Sequence, residues 1–341
     1  MSPHDASGRP DPRRAVVVTT IQSPTPAMAE LASGSAARGV ELIVIGDRKT
    51  PASFSLPESR YYDLRGQAEA TPTLCASVPL NHYSRKNIGY LVAMRDGADA
   101  ILETDDDNIP YPTFWDVGEL EIEERTSEGH GWVNVYRYFA APDVDVWPRG
   151  FPWRELERAP VPLESLPRRR VLCPIRQALC DDDPDVDAVW RLTHRGPVRF
   201  ARGRRVALGP GSWSPFNSQN TSWLRPAFPL LYLPASCPGR LTDIWRSYVA
   251  QRVAWERGWH LLVDGPTMRQ ERNPHDPLQD FLAELPGYQR GWELARRLAA
   301  LSLPGGSLGD AMMHCYEVLV ALRLVDRAEL SRLDTWLAEL P

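Results

Sequence analysis

The chain has 341 residues, 24% charged and 43% hydrophobic, a balance that excludes both a multispanning membrane protein and a disordered chain. Its net charge of −5, from 39 basic and 44 acidic residues, argues against a general nucleic-acid binder, which needs a basic excess to neutralise phosphates. The five cysteines (Cys75, Cys173, Cys180, Cys237 and Cys315) are dispersed, with neither a disulfide framework nor a zinc spacing, so a reducing compartment is expected.

Residues 1–13 are polar and proline-bearing and read as a disordered N-terminal tail. The apolar run Ala15–Val18 is too short for a signal segment or a membrane span, so a soluble, cytoplasmic protein is expected. Ala15–Thr20 reads as a buried strand, Pro26–Arg38 as a helix ending at Gly39, and Glu41–Asp47 as a second buried strand. Strand, helix and strand over so short a stretch make a βαβ unit and hence a parallel sheet. Tyr83–Asp96 reads as a helix with Ile88, Leu91, Val92 and Met94 mostly on one face, and Ala98–Thr104 as the next strand. Further on, strands are expected over Trp132–Tyr136, 186–192, Leu230–Leu233 and Leu261–Val263. Helices are expected near 174–180 and over Thr242–Arg257. After Pro286 the composition shifts to Ala, Leu and Arg, and three helices are expected over Tyr288–Leu301, Leu308–Leu324 and Arg327–Leu340. The division that follows is a main α/β domain over 14–290 and a C-terminal helical extension over 291–341, either a cap on that domain or a docking surface.

Three places carry chemistry. The strand ending at Thr104 runs into Asp105-Asp106-Asp107, at the carboxyl edge of a parallel sheet, where ligands bind in open α/β folds. Three adjacent carboxylates repel one another unless a cation neutralises them, and Mg²⁺ or Mn²⁺ accepts carboxylate and phosphate oxygens together. Second, Ser84-Arg85-Lys86-Asn87-Ile88-Gly89 opens a helix, where free N–H groups and two cations suit a nucleoside diphosphate. Third, Gly46-Asp47-Arg48-Lys49 follows the second strand, where an acidic residue suits a base or ribose. No glycine-rich phosphate loop is present.

These sites together resemble a GT-A glycosyltransferase, the Rossmann-like nucleotide-diphospho-sugar transferase fold. More narrowly, the chain resembles the STELLO-type glycosyltransferases, which are related to the reversibly glycosylated polypeptides, including UDP-arabinopyranose mutases. The residues that carry the resemblance are Ile45–Pro51, Tyr83–Tyr90, Glu103–Asp107, Trp147–Pro152, Asp183–Ala188, Phe216–Thr221, Leu241–Arg246 and Gln270–His275, spread over about 15–290. The resemblance implies an α/β GT-A mixed sheet flanked by helices, with Asp105 touching the nucleotide, Asp107 binding the metal and Asp106 between them. Asp47, Arg85, Lys86 and Asn87 complete the expected donor site.

In the second half several readings stay open. Arg149, in Arg149-Gly150-Phe151-Pro152, resembles an arginine implicated in sugar attachment in the related polypeptides. It stands as an electrostatic partner of the diphosphate, a glycosylated side chain or a structural arginine, the first being preferred because guanidinium is a poor nucleophile. Asp183, Asp185 and Asp187 alternate as if to share one face, whereas Asp181 and Asp182 are expected to face solvent. Asn217, Gln219 and Asn220 suit sugar hydroxyls or turn caps. Asp243 is either a general base for the acceptor hydroxyl or a helix cap. His275 is a candidate further metal ligand. The expected function is metal-dependent glycosyl transfer from a nucleotide-diphospho-sugar, first among them a UDP-sugar, with Mg²⁺ or Mn²⁺ as cofactor. The acceptor is an unidentified glycan, lipid or small molecule, and a homo-oligomer is left open. The rival readings are a mutase or self-glycosylating protein, and a catalytically weak nucleotide-sugar-binding scaffold.

Overall fold

The computed structural model describes residues 12–303 and 305–341, so the first eleven residues of the expected tail lie outside the described residues. The first βαβ unit is β1 (Arg14–Thr19), α1 (Pro26–Ala36) and β2 (Glu41–Ile45). Thr25 caps α1 by accepting from the Met28 amide, and Pro26 sits in its first turn, where the missing N–H costs nothing. Then come β3 (Arg60–Tyr62), α2 (Leu64–Ala70) and α3 (Pro72–Ser77). A 3₁₀ turn over Tyr83–Arg85 leads into α4 (Lys86–Arg95), β4 (Ala100–Thr104) and β5 (Asn108–Pro110). Strands β6 (Glu121–Ser127), β7 (Gly131–Trp132) and β8 (Arg168–Asp181) follow. After them come α5 (Ala188–Thr193), β9 (Arg205–Leu208), β10 (Ser212–Trp213) and β11 (Asn220–Leu224). The chain closes with α6 (Gly239–Trp255), β12 (Trp259–Gln270), α7 (Pro277–Ala300), α8 (Leu308–Ala321) and α9 (Ala328–Glu339).

The expected α/β class holds: a mixed sheet of ten strands is flanked by helices. β3, β2, β1 and β4 run parallel in that order, and β11 joins β4 antiparallel. β8 is antiparallel to β11 and parallel to β12, so β8 and β12 point the same way as β4. The carboxyl ends of β1, β2, β4, β8 and β12 therefore share one edge, which the amino end of β11 also reaches. Beyond β11, the strands β8, β6, β9 and β12 pair in a ring.

Helix α4 lies directly on the parallel half. A Cβ at Gly89 would fall 2.5 Å from Val17 Cγ1, so only glycine lets the helix approach this closely. That contact brings the first turn of α4 to the end of β4. On this side one core joins Ile88, Leu91, Ile101 and Trp223 to Leu294, Leu298, Met312, Cys315 and Trp336 from the last three helices. A second core, around Val16, Val44, Leu102 and Trp115, packs α1 on the sheet. Helix α7 runs unbroken past position 290, and the C-terminal helices share the main core, so no gap in the core marks the expected division there. Among the described residues no helix is long and apolar enough to cross a membrane.

Four local expectations are corrected. The segment near 174–180 is strand β8: it is covered by β11 on one side and β12 on the other, so it shows none of the alternation of a half-exposed strand. The segment 186–192 is largely helix α5, because Asp187 accepts from the Trp190 amide as an N-cap. Leu230 and Leu231 end a 3₁₀ segment over Arg225–Leu231 that contains Pro226 and Pro229. The run Trp132–Tyr136 is strand only at its start and turns into a 3₁₀ helix at Val135.

Candidate active site

The shared edge opens into a cavity of about 660 Å³. Its walls come from the ends of β1 (Thr20, Gln22), β2 (Asp47, Lys49), β4 (Asp105–Asp107) and β12 (Gln270, Arg272–His275). The segment before β11 (Ser218, Gln219) and the start of α6 (Arg240, Asp243) complete them. Sheet order arranges these parts: the β1 and β2 loops lie on one flank of β4, and the β8, β12 and α6 groups on the other.

The three aspartates have different surroundings. Asp106 accepts from Thr20 Oγ1 (2.7 Å), Gln22 Nε2 (3.2 Å) and Asn273 Nδ2 (3.1 Å), which ties the loops after β1, β4 and β12 together. Asp107 accepts from Gln270 Nε2 (2.9 Å) and the Asn273 amide (3.1 Å). Asp105 accepts from the Tyr83 hydroxyl (2.6 Å) and lies 3.4 Å from Lys86 Nζ. Burial pushes the Asp105 carboxyl up to about 6, with Lys86 opposing and Asp107 and Asp106 adding to the rise. Burial raises Asp107 as well, with Asp106 adding to it. Three carboxylates thus stand together at the cavity edge, with the Lys86 ammonium 3.4 Å from Asp105.

That is the donor set a hard divalent cation fits: adjacent carboxylate oxygens opening on a cavity. Among the described residues no three His, Cys, Asp or Glu side chains converge as a complete ligand set, so further ligands would come from a bound molecule or water. His275 lines the same cavity, with Nδ1 3.7 Å from Asp280.

The expected donor-site residues separate into two groups. Asp47 and Arg85 line the cavity. Arg85 donates from Nε to Gln67 (2.9 Å), whose amide in turn holds the Gly46 and Tyr62 carbonyls, so the arginine also braces the loop after β2. Lys86 and Asn87 do not line it. Lys86 is fully buried and donates to the Thr104 carbonyl (2.6 Å) and the Tyr83 hydroxyl (2.8 Å), acting on the site through Tyr83 and Asp105. Asn87 is buried with its amide paired both ways to the Leu233 backbone, at 2.9 Å each. Its local surroundings fasten α4 to the segment before α6.

Arg149 and Asp243 meet across the cavity wall. Gly150, at φ +84°, makes the turn that aims Arg149, and a Cβ there would fall 2.5 Å from Ile244. Arg149 Nε and Nη2 hold Asp185 at 2.8 and 2.7 Å, while Nη1 and Nη2 hold Asp243 at 3.0 and 2.8 Å. Nη1 also donates to the Arg240 carbonyl. All five N–H groups are engaged, and the charge is exceeded by two buried carboxylates. The preferred reading of Arg149 as a diphosphate partner has no free donor in this arrangement, and the same engagement disfavours a glycosylated side chain. Asp243 accepts from Arg149, the Ser218 amide and the Ile244 amide. Burial would push its carboxyl up, but Arg149, with Arg246 and the Ser218 amide, holds it below the usual range. A carboxylate so placed is a weak proton acceptor.

The alternating aspartates do not share a face. Asp183 pairs with Arg191, Asp185 with Arg149, and Asp187 caps α5 and accepts from Trp147 Nε1 (2.6 Å). Asp181, expected at the surface, is buried and accepts from the Phe200 amide. Gln219 reaches the cavity and donates to Gln270 (2.8 Å), whereas Asn217 and Asn220 hold backbone and side-chain groups around β11. Thr20, Gln22 and Ser218 carry no sequence signal of a site, because each is a common polar residue at a strand end or turn.

The chain is 30% identical over 274 residues to a protein named probable glycosyltransferase STELLO1 from Arabidopsis thaliana, covering 74% of this chain and 34% of that protein. It is related to the STELLO proteins. A second relative, probable glycosyltransferase STELLO2 from the same plant, is 29% identical over 78% of this chain and 37% of its own length. The chain thus spans about a third of the length of these curated relatives. No family model matches the chain. Among solved structures, glucosyl-3-phosphoglycerate synthase from Mycobacterium tuberculosis, in complex with Mn²⁺, UDP and glucosyl-3-phosphoglycerate, overlaps 86% of this chain and 81% of that one. Its TM-score is 0.39 at 12% identity.

Proposed function

We propose that this STELLO-related chain is a glycosyltransferase that takes its donor, a nucleotide-diphospho-sugar and first a UDP-sugar, into the cavity at the sheet edge. The observation that carries the reading is the pair of carboxylates Asp105 and Asp107 opening on the cavity at the end of β4, beside a loop set suited to a nucleoside. Asp47, Lys49 and Arg85 would face the nucleoside side, and Asp105 and Asp107, with His275 a further candidate, would hold Mn²⁺ or Mg²⁺. When bound, the ion offsets the charge that develops on the leaving diphosphate. Tyr83 and Lys86 keep Asp105 in place, and Gln270 and Asn273 keep Asp107 in place. Asp243 serves to position Arg149 and Ser218 instead of acting as the base. The self-glycosylating alternative finds no support at Arg149, whose donors are all engaged.

The test is thermal stability of the chain against UDP-, GDP- and dTDP-sugars, each with and without Mn²⁺, alongside Asp107→Asn. A metal-dependent rise with one nucleotide class, lost in the variant, is expected. No rise across the panel would overturn the donor-site reading.

A further inference from the structure

The cavity holds a second charged feature beside the acidic triplet. Arg272, two residues beyond the end of β12, and Arg240, in the first turn of α6, both line it. Their side chains are only 13% and 19% exposed. Arg240 is held by Glu284 through Nε and Nη2. Among the described residues Arg272 makes one hydrogen bond, from Nη2 to Asp280 at 3.1 Å. Asp280 is shared: Arg240 lies 3.7 Å from it, and so does His275 Nδ1. The contrast with Arg149 is direct, since that guanidinium has every N–H engaged, by two carboxylates and a backbone carbonyl. Burial, with Arg191 and Arg240 nearby, lowers the pKa of Arg272. This mostly buried cation thus has donors to spare, with Asp280 shared and Asp183 and Asp185 acting from beyond ion-pair distance.

We infer that Arg272, with Arg240 beside it, forms an oxyanion subsite for an acceptor that carries a phosphate or carboxylate. The guanidinium fork matches such groups in two parallel hydrogen bonds. Its position assigns it to the acceptor. The loops suited to the nucleoside follow β1 and β2 on one flank of β4, the diphosphate belongs at Asp105 and Asp107, and Arg272 and Arg240 lie on the other flank. The inference rests on the donor reading above for which substrate brings the oxyanion, and on Arg272 itself for the existence of the subsite.

Inorganic phosphate is the probe, titrated calorimetrically into the full chain saturated with Mg²⁺ and UDP, so that the donor's phosphate positions are filled. Arg272→Gln is expected to weaken phosphate binding by about tenfold or more while UDP affinity stays within about twofold. Arg272→Lys, which keeps the charge and loses the fork, should fall between and guards against a folding defect in the first variant. Equal phosphate affinity in wild type and both variants would overturn the subsite. A parallel loss of UDP affinity would also overturn it, since the arginine would then serve the donor. If the wild type binds UDP but no phosphate, the subsite fails and the donor reading stands. If it binds no UDP, yet phosphate alone binds and is lost in Arg272→Gln, the donor reading fails and the subsite stands.

Discussion

The Tyr83 hydroxyl donates to Asp105 at 2.6 Å, and the same oxygen accepts from Lys86 and lies 2.6 Å from Ser218 Oγ. Ser218 in turn donates its amide to Asp243, which holds Arg149, leaving its hydroxyl to donate to Tyr83. One tyrosine therefore joins the carboxylate at the end of β4 to the ion-pair cluster at the start of α6. Tyr83→Phe removes the donor to Asp105 and leaves its carboxylate with Lys86 alone. A hydrogen bond to a charged group contributes about 1.5–3 kcal/mol, so Mn²⁺ affinity in the presence of UDP should change by about tenfold or more. Calorimetric titration of Mn²⁺ checks this; an unchanged affinity would mean that Lys86 suffices to hold Asp105.

Arg149 neutralises two buried carboxylates at once. Removing one partner of a buried pair leaves an uncompensated charge, at a cost of about 3–5 kcal/mol. Arg149→Ala should lower the unfolding free energy by about that amount in urea, at neutral pH. A loss below about 1 kcal/mol would show that Asp185 and Asp243 find other neutralisation, and would return Arg149 to the list of candidate surface or ligand-binding groups.

The unequal legibility of this chain has physical causes. β1, β2 and β4 are short apolar runs bounded by turn formers, and their burial on both faces makes them readable from composition alone. β8 is just as buried but contains Pro174 and several helix-compatible residues, so local pattern does not distinguish strand from helix there. The place of Asp105–Asp107 follows from the strand before it. Its environment does not: Tyr83 meets Ser218 across 135 residues, and Arg149 meets Asp243 across 94. The sheet order creates these encounters, and nothing in the sequence near either partner signals them. That is why Arg149 and Asp243, each readable as a reactive group alone, prove to saturate one another.

Asp187 gives a pH signature remote from the acidic triplet. Burial pushes its carboxyl up to about 6, opposed by hydrogen bonds from the Trp190 amide and Trp147. The native state therefore binds this proton more tightly than the unfolded chain, whose aspartates titrate near 3.9. Its stabilising contribution is fully present below the unfolded value and is lost as pH rises through about 6. The difference amounts to about 2–3 kcal/mol. Asp187→Asn, whatever its absolute cost, should remove that part of the slope. Urea unfolding at several pH values between 4 and 7 checks it; parallel curves for the two proteins would refute the assignment.

Asn87 separates a binding role from a structural one. Its side chain donates to the Leu233 carbonyl and accepts from the Leu233 amide, and none of it lines the cavity. Asn87→Ala leaves both backbone groups buried without partners, each costing about 1–3 kcal/mol. The variant should therefore be less stable by a few kcal/mol while its UDP affinity, measured well below its melting temperature, stays within about twofold. The reverse pattern, intact stability with weakened UDP binding, would place Asn87 in the donor site and require α4 to move when nucleotide enters. Tyr83 and Lys86 lie within the same turn and helix start, so such a movement would also disturb Asp105, and the Tyr83→Phe and Asn87→Ala effects on UDP binding would then cease to be additive.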